Sequence, residues 1–216
     1  MPGIGTESFL SFARGHDVVA PDLPTADESA GLDEYADVIV EAIGNRRDVI
    51  VVAQSLGGFT APIVCSRVPV SLLVLVAAMV PLPGESPREW FSNTGWAEAR
   101  QEQAERDGRT VGEEVNVMEE FFHDVPPDVV ADTFARPEPV QSDTPFGQPW
   151  PLAAWPDVPT RVVICRNDRF FPADFMRRVV NERLGLSPDE FDSGHLPALS
   201  RPKELVERLE AYRAAA

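Results

Sequence analysis

The sequence predicts an α/β fold: a mostly parallel sheet flanked by helices and interrupted by a helical insertion. Three observations carry the prediction. Short β-branched runs alternate with segments whose apolar residues recur at helical spacing. The stretch Val49-Ile50-Val51-Val52-Ala53-Gln54-Ser55-Leu56-Gly57-Gly58 passes from a strand through one serine into a segment able to start a helix. Between Pro81 and Pro159 the alternation stops, and twelve of the 21 prolines punctuate short helical pieces.

Taken in order, Gly15-His16-Asp17 reads as a turn, with His16 a surface polar residue, and Val18 to Ala20 as a short strand before the Pro21–Pro24 loop. Leu32, Tyr35, Ala36, Ile39 and Ile43 share one face of a helix that Gly44-Asn45 stops. A strand ending at Ser55 follows, then a helix from Gly57 to Arg67, in which Pro62 is awkward beyond the first turn. Val70 to Ala78 forms the next strand, apolar except for Ser71 and so buried on both faces. Strand, helix, strand at this spacing is a βαβ unit, which requires parallel pairing.

Residues 81–159 form a cap inserted between two parts of one core, 1–80 and 160–216. Most of its aromatic residues are expected to pack the cap on the core, and a minority to line a pocket. Asp124, just before Val125-Pro126-Pro127, suits a helix entrance, so His123-Asp124 is read as structural. The core resumes with a strand from Thr160 to Cys165, a helix carrying Phe175, Val179 and Leu184 and closed by Gly185, and a short strand from Glu190 to Asp192. A last helix has Ser200 as its N-cap and buries Leu205, Leu209 and Tyr212.

Composition narrows the function. With 19 Lys+Arg against 35 Asp+Glu, the formal net charge is −16, which repels polyanions and anionic lipid, so neither nucleic acid nor a membrane surface is an expected partner. Two cysteines cannot form a disulfide framework, and no basic-then-apolar leader is visible, so a cytoplasmic location is expected. No metal-ligand cluster and no dinucleotide or phosphate loop is present, so no cofactor and no metal are expected.

The chemistry centres on Ser55. A serine on a strained strand-to-helix turn needs small neighbours two residues before and two after, and Ala53 and Gly57 supply them, an arrangement called a nucleophile elbow. Acyl transfer by serine also needs a base and an acid that orients the base. His195, one of three histidines, follows Gly194, and Asp168 follows the Thr160–Cys165 strand. Asp192 is the rival acid, but it shares a short strand with the histidine and would have to reach back to the ring.

The order Ser55, Asp168, His195, each just past a strand, resembles the α/β-hydrolase family, in particular its methylesterase and hydroxynitrile lyase branch and their bacterial esterase-like relatives. The resemblance is carried by Gly15-His16-Asp17-Val18-Val19-Ala20-Pro21-Asp22-Leu23, Ala53-Gln54-Ser55-Leu56-Gly57-Gly58, Cys165-Arg166-Asn167-Asp168-Arg169-Phe170-Phe171-Pro172 and Gly194-His195-Leu196-Pro197-Ala198-Leu199-Ser200-Arg201-Pro202. It implies a catalytic triad of Ser55, Asp168 and His195, no cofactor, a helical lid, and the Leu56 N–H as one oxyanion donor. Lyases of this branch carry lysine directly after the histidine. Leu196 stands there, so hydrolysis of a small carboxylic ester is expected instead. The expected pocket residues are Gln54, Trp90, Phe121, Phe122, Trp150, Phe170 and Leu196.

One departure lies at the front. Family members have three strands before the one at Val18–Ala20, and the loop after the third supplies the second oxyanion donor. Only seventeen residues precede Val18, so these strands are expected to be missing, with Pro2-Gly3-Ile4-Gly5 a remnant of that loop. Open strand edges would then favour a homo-oligomer, and a non-catalytic ligand-binding protein with an incomplete oxyanion hole is the alternative function.

Overall fold

A computed structural model describes residues 15–137 and 140–215. Among these residues the sheet has four parallel strands in the order β1 (Ile50–Ser55), β2 (Leu72–Ala78), β3 (Thr160–Cys165) and β4 (Asp189–Phe191). Three helices join the sheet's larger apolar face: α1 (Leu32–Ile43), α2 (Gly57–Arg67) and α8 (Ala173–Leu184). Between β2 and β3 the described residues form five short helices: α3 (Pro87–Thr94), α4 (Trp96–Arg106), α5 (Val117–Glu120), α6 (Pro127–Phe134) and α7 (Thr144–Gly147). After β4 come a single turn, α9 (Pro197–Ser200), and the terminal helix α10 (Pro202–Ala215).

Side-chain alternation along β2 divides the core. Leu73 and Leu75 join the cluster formed with α1, α2 and α8, whereas Leu72, Val74 and Val76 face Leu205 and Tyr212 of α10. Both faces being covered, every residue of β2 is buried, as its unbroken apolar run predicts. Strand β1 pairs with β2 alone among the described residues, and Val52 is 42% exposed.

Three expectations change. Val18 to Ala20 forms no strand: it pairs with nothing in the described sheet, and Val19 and Ala20 are exposed. A β-branched run without a partner has nowhere to place its backbone hydrogen bonds except water. Ser200 caps no helix, because α9 ends there and α10 begins at Pro202, and its Oγ is buried without a hydrogen bond among the described residues. Asp124 is not the N-cap of α6, which is Pro126. Pro62 does lie inside α2, where it removes one helical hydrogen bond. Burial of the run from Gly58 to Val64 offsets that loss.

Two buried ion pairs brace the segment between β2 and β3. Arg100 meets Glu120 at 2.6 Å with both side chains almost wholly buried, and its guanidinium also donates to the carbonyls of Gly112 and Glu114. Arg183 of α8 pairs with Glu85 and donates to the Val80 carbonyl, tying α8 to the chain leaving β2. No described helix is long and apolar enough to cross a membrane.

Candidate active site

Ser55 is the last residue of β1 and has φ +52°, the left-handed region that L-residues enter at a cost. The ladder to β2 slips at this point: Gln54 pairs with Val76 but Ser55 with Ala78, and Ala77, skipped by the slip, also has positive φ, at 43°. The Met79 N–H donates to the Ser55 carbonyl at 3.0 Å, holding the turned-out backbone in place. Small residues make the turn passable. A Cβ on Gly57 would stand 3.4 Å from that of Ala53, an ordinary contact, whereas one on Gly58 would lie 1.8 Å from the Met79 carbonyl oxygen. Gly58 is therefore the position at which α2 passes too close to the end of β2 for any side chain.

The loops after β3 and β4 bring the other two residues to the serine. His195 Nδ1–H donates to Asp168 Oδ2 at 2.7 Å, and the Ser55 hydroxyl donates to His195 Nε2 at 3.2 Å. A carboxylate only accepts, so its contact places the ring proton on Nδ1 and leaves Nε2 free to take the serine proton. The second oxygen of Asp168, Oδ1, accepts the N–H groups of Phe170 and Phe171 at 2.8 and 2.9 Å. Asp168 and His195 are buried, and the rings of Phe121, Phe170 and Phe171 stand edge-on to the imidazole at 4.8, 5.2 and 5.2 Å between centroids. Aromatic packing thus fixes the plane of the ring while Asp168 fixes its tautomer. Asp192, the rival acid, faces solvent and pairs with Arg166.

Relatedness to known proteins agrees with this architecture. The profile of the alpha/beta hydrolase family matches residues 2–208. The chain belongs to the alpha/beta hydrolase family. Similar solved structures include a pyrethroid hydrolase from Sphingobium faniae JZ-2, with 20% identity over 98% of this chain and 91% of the other and a TM-score of 0.71. Polyneuridine aldehyde esterase shares 20% identity over 94% and 90%, again with a TM-score of 0.71. An extracellular alpha/beta-hydrolase from a Paenibacillus species, described as homologous to tobacco Salicylic Acid Binding Protein 2, shares 18% over 95% and 91%, with a TM-score of 0.73. A search of curated proteins finds no match.

In this alpha/beta hydrolase the expected pocket residues separate into three groups. Phe121 and Phe170 lie against His195. Leu196 and Phe122 belong to a small apolar cluster with Val125 and Leu199 beneath the His195 loop, and Gln54 donates through Nε2 to the His195 carbonyl, so it supports that loop. Trp90 and Trp150 are core residues, a correction to their expected place. Both are almost wholly buried, and their indole N–H groups donate to the carbonyls of Val80 and Phe59 at 3.0 Å. A large ring whose polar handle finds a backbone acceptor is suited to the core, and sequence alone does not separate that use from pocket lining. Phe171 was missed beside Phe170, although it too packs on the imidazole.

The two cysteines and His16 are poor candidates for the chemistry of this site. Burial pushes the thiols of Cys65 and Cys165 up to about 12, helped at Cys165 by the negative charge of Asp168, so neither is a ready nucleophile. His16 sits on the surface against Glu210 at 2.6 Å. No group of three or more His, Cys, Asp or Glu among the described residues could hold a metal ion. The Pro2–Gly5 stretch expected to belong to the oxyanion loop lies outside the described residues.

Proposed function

We propose that this hydrolase cleaves a small carboxylic ester through an acyl-enzyme on Ser55. The observation that carries the proposal is the hydrogen-bonded chain from Ser55 Oγ through His195 to Asp168, built on a strained serine backbone. His195 Nε2 takes the hydroxyl proton as Oγ attacks the ester carbonyl, and the imidazolium formed is stabilised by Asp168. The Leu56 N–H, at the start of α2, is proposed to receive the developing oxyanion, where the helix N-terminus favours negative charge. His195 then returns the proton to the leaving alcohol, and water releases the acid by the same steps in reverse. The names of the pyrethroid hydrolase and the polyneuridine aldehyde esterase support this reading.

Two unpaired thiols, Cys165 buried and Cys65 partly buried, fit a reducing compartment, and the cytoplasm is the proposed location. The strongly negative charge supports a small-molecule substrate over nucleic acid or membrane, and the edge of β1, unpaired among the described residues, supports association between copies.

A fluorophosphonate probe and a series of p-nitrophenyl esters of rising acyl length test the function. Labelling and turnover are expected, both lost in Ser55→Ala. An unlabelled wild type, or equal labelling of Ser55→Ala, would overturn the proposal. The second reading, a ligand-binding protein without turnover, is favoured by one observation: Leu56 is the single oxyanion donor assigned among the described residues. Ester binding with no turnover by the wild type would establish it.

A further inference from the structure

We propose that His123 and Asp124 form a positioning clamp that holds the two loops carrying Asp168 and His195 in catalytic register. The inference rests on the ester-hydrolase reading for its kinetic consequence, but its geometry stands independently. Asp124 Oδ2 accepts the backbone N–H of Gly194, the residue before His195, at 2.7 Å across 70 residues of sequence. The adjacent His123 donates from Nε2 to the carbonyl of Asn167, the residue before Asp168, at 3.0 Å. Two neighbouring residues between β2 and β3 therefore grip the two loops one residue ahead of each triad member. The loops are also tied to each other, because the Asn167 N–H donates to the Ser193 carbonyl at 3.1 Å.

The approach is close. A Cβ on Gly194 would stand 2.5 Å from Asp124 Oδ1 and 2.7 Å from His123 Nε2, so any side chain at 194 would push the two clamp residues off their bonds. Asp124 Oδ1 is buried without a hydrogen-bond partner among the described residues, a cost that packing alone would remove with an apolar residue. Phe121, two residues before His123, already faces the imidazole ring, so the same segment orients His195 from its edge and from its backbone. Neither His123 nor Asp124 is hydrogen-bonded to Ser55 or to the side chains of Asp168 and His195. They act through the loops, and misplacement of a catalytic group by about 1 Å costs about 10²-fold in rate.

The test separates loop register from folding and from activity. Backbone amide exchange is measured by NMR in the wild type, Asp124→Ala and Asp124→Asn. Asp124→Ala is expected to speed exchange at Gly194 by roughly ten- to hundredfold, the scale of one hydrogen bond to a charged group, while β2 stays protected. Asp124→Asn keeps an acceptor oxygen and is expected to restore most of that protection. On p-nitrophenyl esters, Asp124→Ala is expected to lower kcat by about 10²-fold with KM little changed, and Asp124→Asn to recover most of it. If Asp124→Ala does not fold, His123→Leu against His123→Gln, which keeps a donor, gives the same comparison in kcat and in exchange of the Asn167 N–H, whose bond to the Ser193 carbonyl reports whether the two loops stay in register. Unchanged exchange at Gly194 in a folded Asp124→Ala, or a loss in KM alone, overturns the clamp. A wild type without ester turnover removes the hydrolase reading and leaves the exchange measurements to decide the clamp.

Discussion

Replacing Ser55 with glycine and with alanine puts the strain at the elbow on a measurable scale. Both variants lose the proposed nucleophile, so neither should be labelled by a fluorophosphonate, and the comparison between them is one of stability. At φ +52° an L-residue pays about 1–2 kcal/mol that glycine does not. Glycine in turn loses more conformational freedom on folding than alanine, by about 0.5–1 kcal/mol. The difference leaves Ser55→Gly more stable than Ser55→Ala by up to about 1.5 kcal/mol, with a centre near 0.7. For a chain of this size each kcal/mol moves the midpoint by roughly 2–4 °C, so Ser55→Gly should melt about 2 °C above Ser55→Ala. Urea unfolding with a common m-value gives the same quantity directly. At a relaxed position the sign reverses, so a glycine variant less stable than the alanine variant by about 0.5 kcal/mol or more would refute the argument. The slipped register at Gln54/Ser55 and the bond from Met79 to the Ser55 carbonyl are what the rest of the fold supplies to hold the strained residue.

Three further outcomes follow from the same geometry. Gly58→Ala should destabilise by at least the upper part of the about 1–3 kcal/mol range for overpacking, because its Cβ meets a backbone oxygen that cannot swing away; Gly57→Ala should be far milder, and equal urea midpoints for the two would contradict this. Asp168→Asn should lower kcat by about 10⁴-fold by upsetting the tautomer of His195, and a loss below tenfold in steady-state ester hydrolysis would show that Asp168 does not orient the ring. Burial first, and the charge of Arg169 next, hold His123 below its ordinary value of 6.5, against the opposing pull of Asp124 and Asp168. The unfolded chain therefore binds that proton more readily, and the stability His123 contributes is present above pH 6.5 and lost as pH falls below it. His123→Gln does not titrate, so its stability should fall less steeply on acidification, and parallel urea-midpoint curves for the two proteins would refute the shift.

The parts of the fold legible in the sequence are those set by local spacing. Leu32, Tyr35 and Ala36 mark α1 because one helical face is buried, and the unbroken run of β2 marks a strand covered on both sides. Gly185 ends α8 at φ +66°, as a glycine after the last apolar position predicts. Val18 to Ala20 has the same β-branched signal as these strands yet forms none, because a strand is a property of two segments and the sequence shows only one of them. Ser200 fails for a related reason. The cap chemistry is right, but Pro197 and Pro202 open two separate helical segments, and the serine falls at the end of the first.

At the site, the same division explains what was hidden. Ser55, Asp168 and His195 could be found because each stands at a strand end with its own local signature, and the structure brings the three side chains within hydrogen-bonding distance. The residues that hold them there leave no such mark. Gln54, Gln103 and Asp124 all reach backbone groups of the triad segments through side-chain bonds that span between 65 and 141 residues of sequence. A side chain that bonds to a carbonyl or an amide places no demand on the identity of its partner residue, so no pairing pattern is written at the other end. The exception is Gly194, where a Cβ would displace Asp124 and His123. The glycine immediately before His195 is thus a trace of what grips the loop from outside, as well as of how the loop turns.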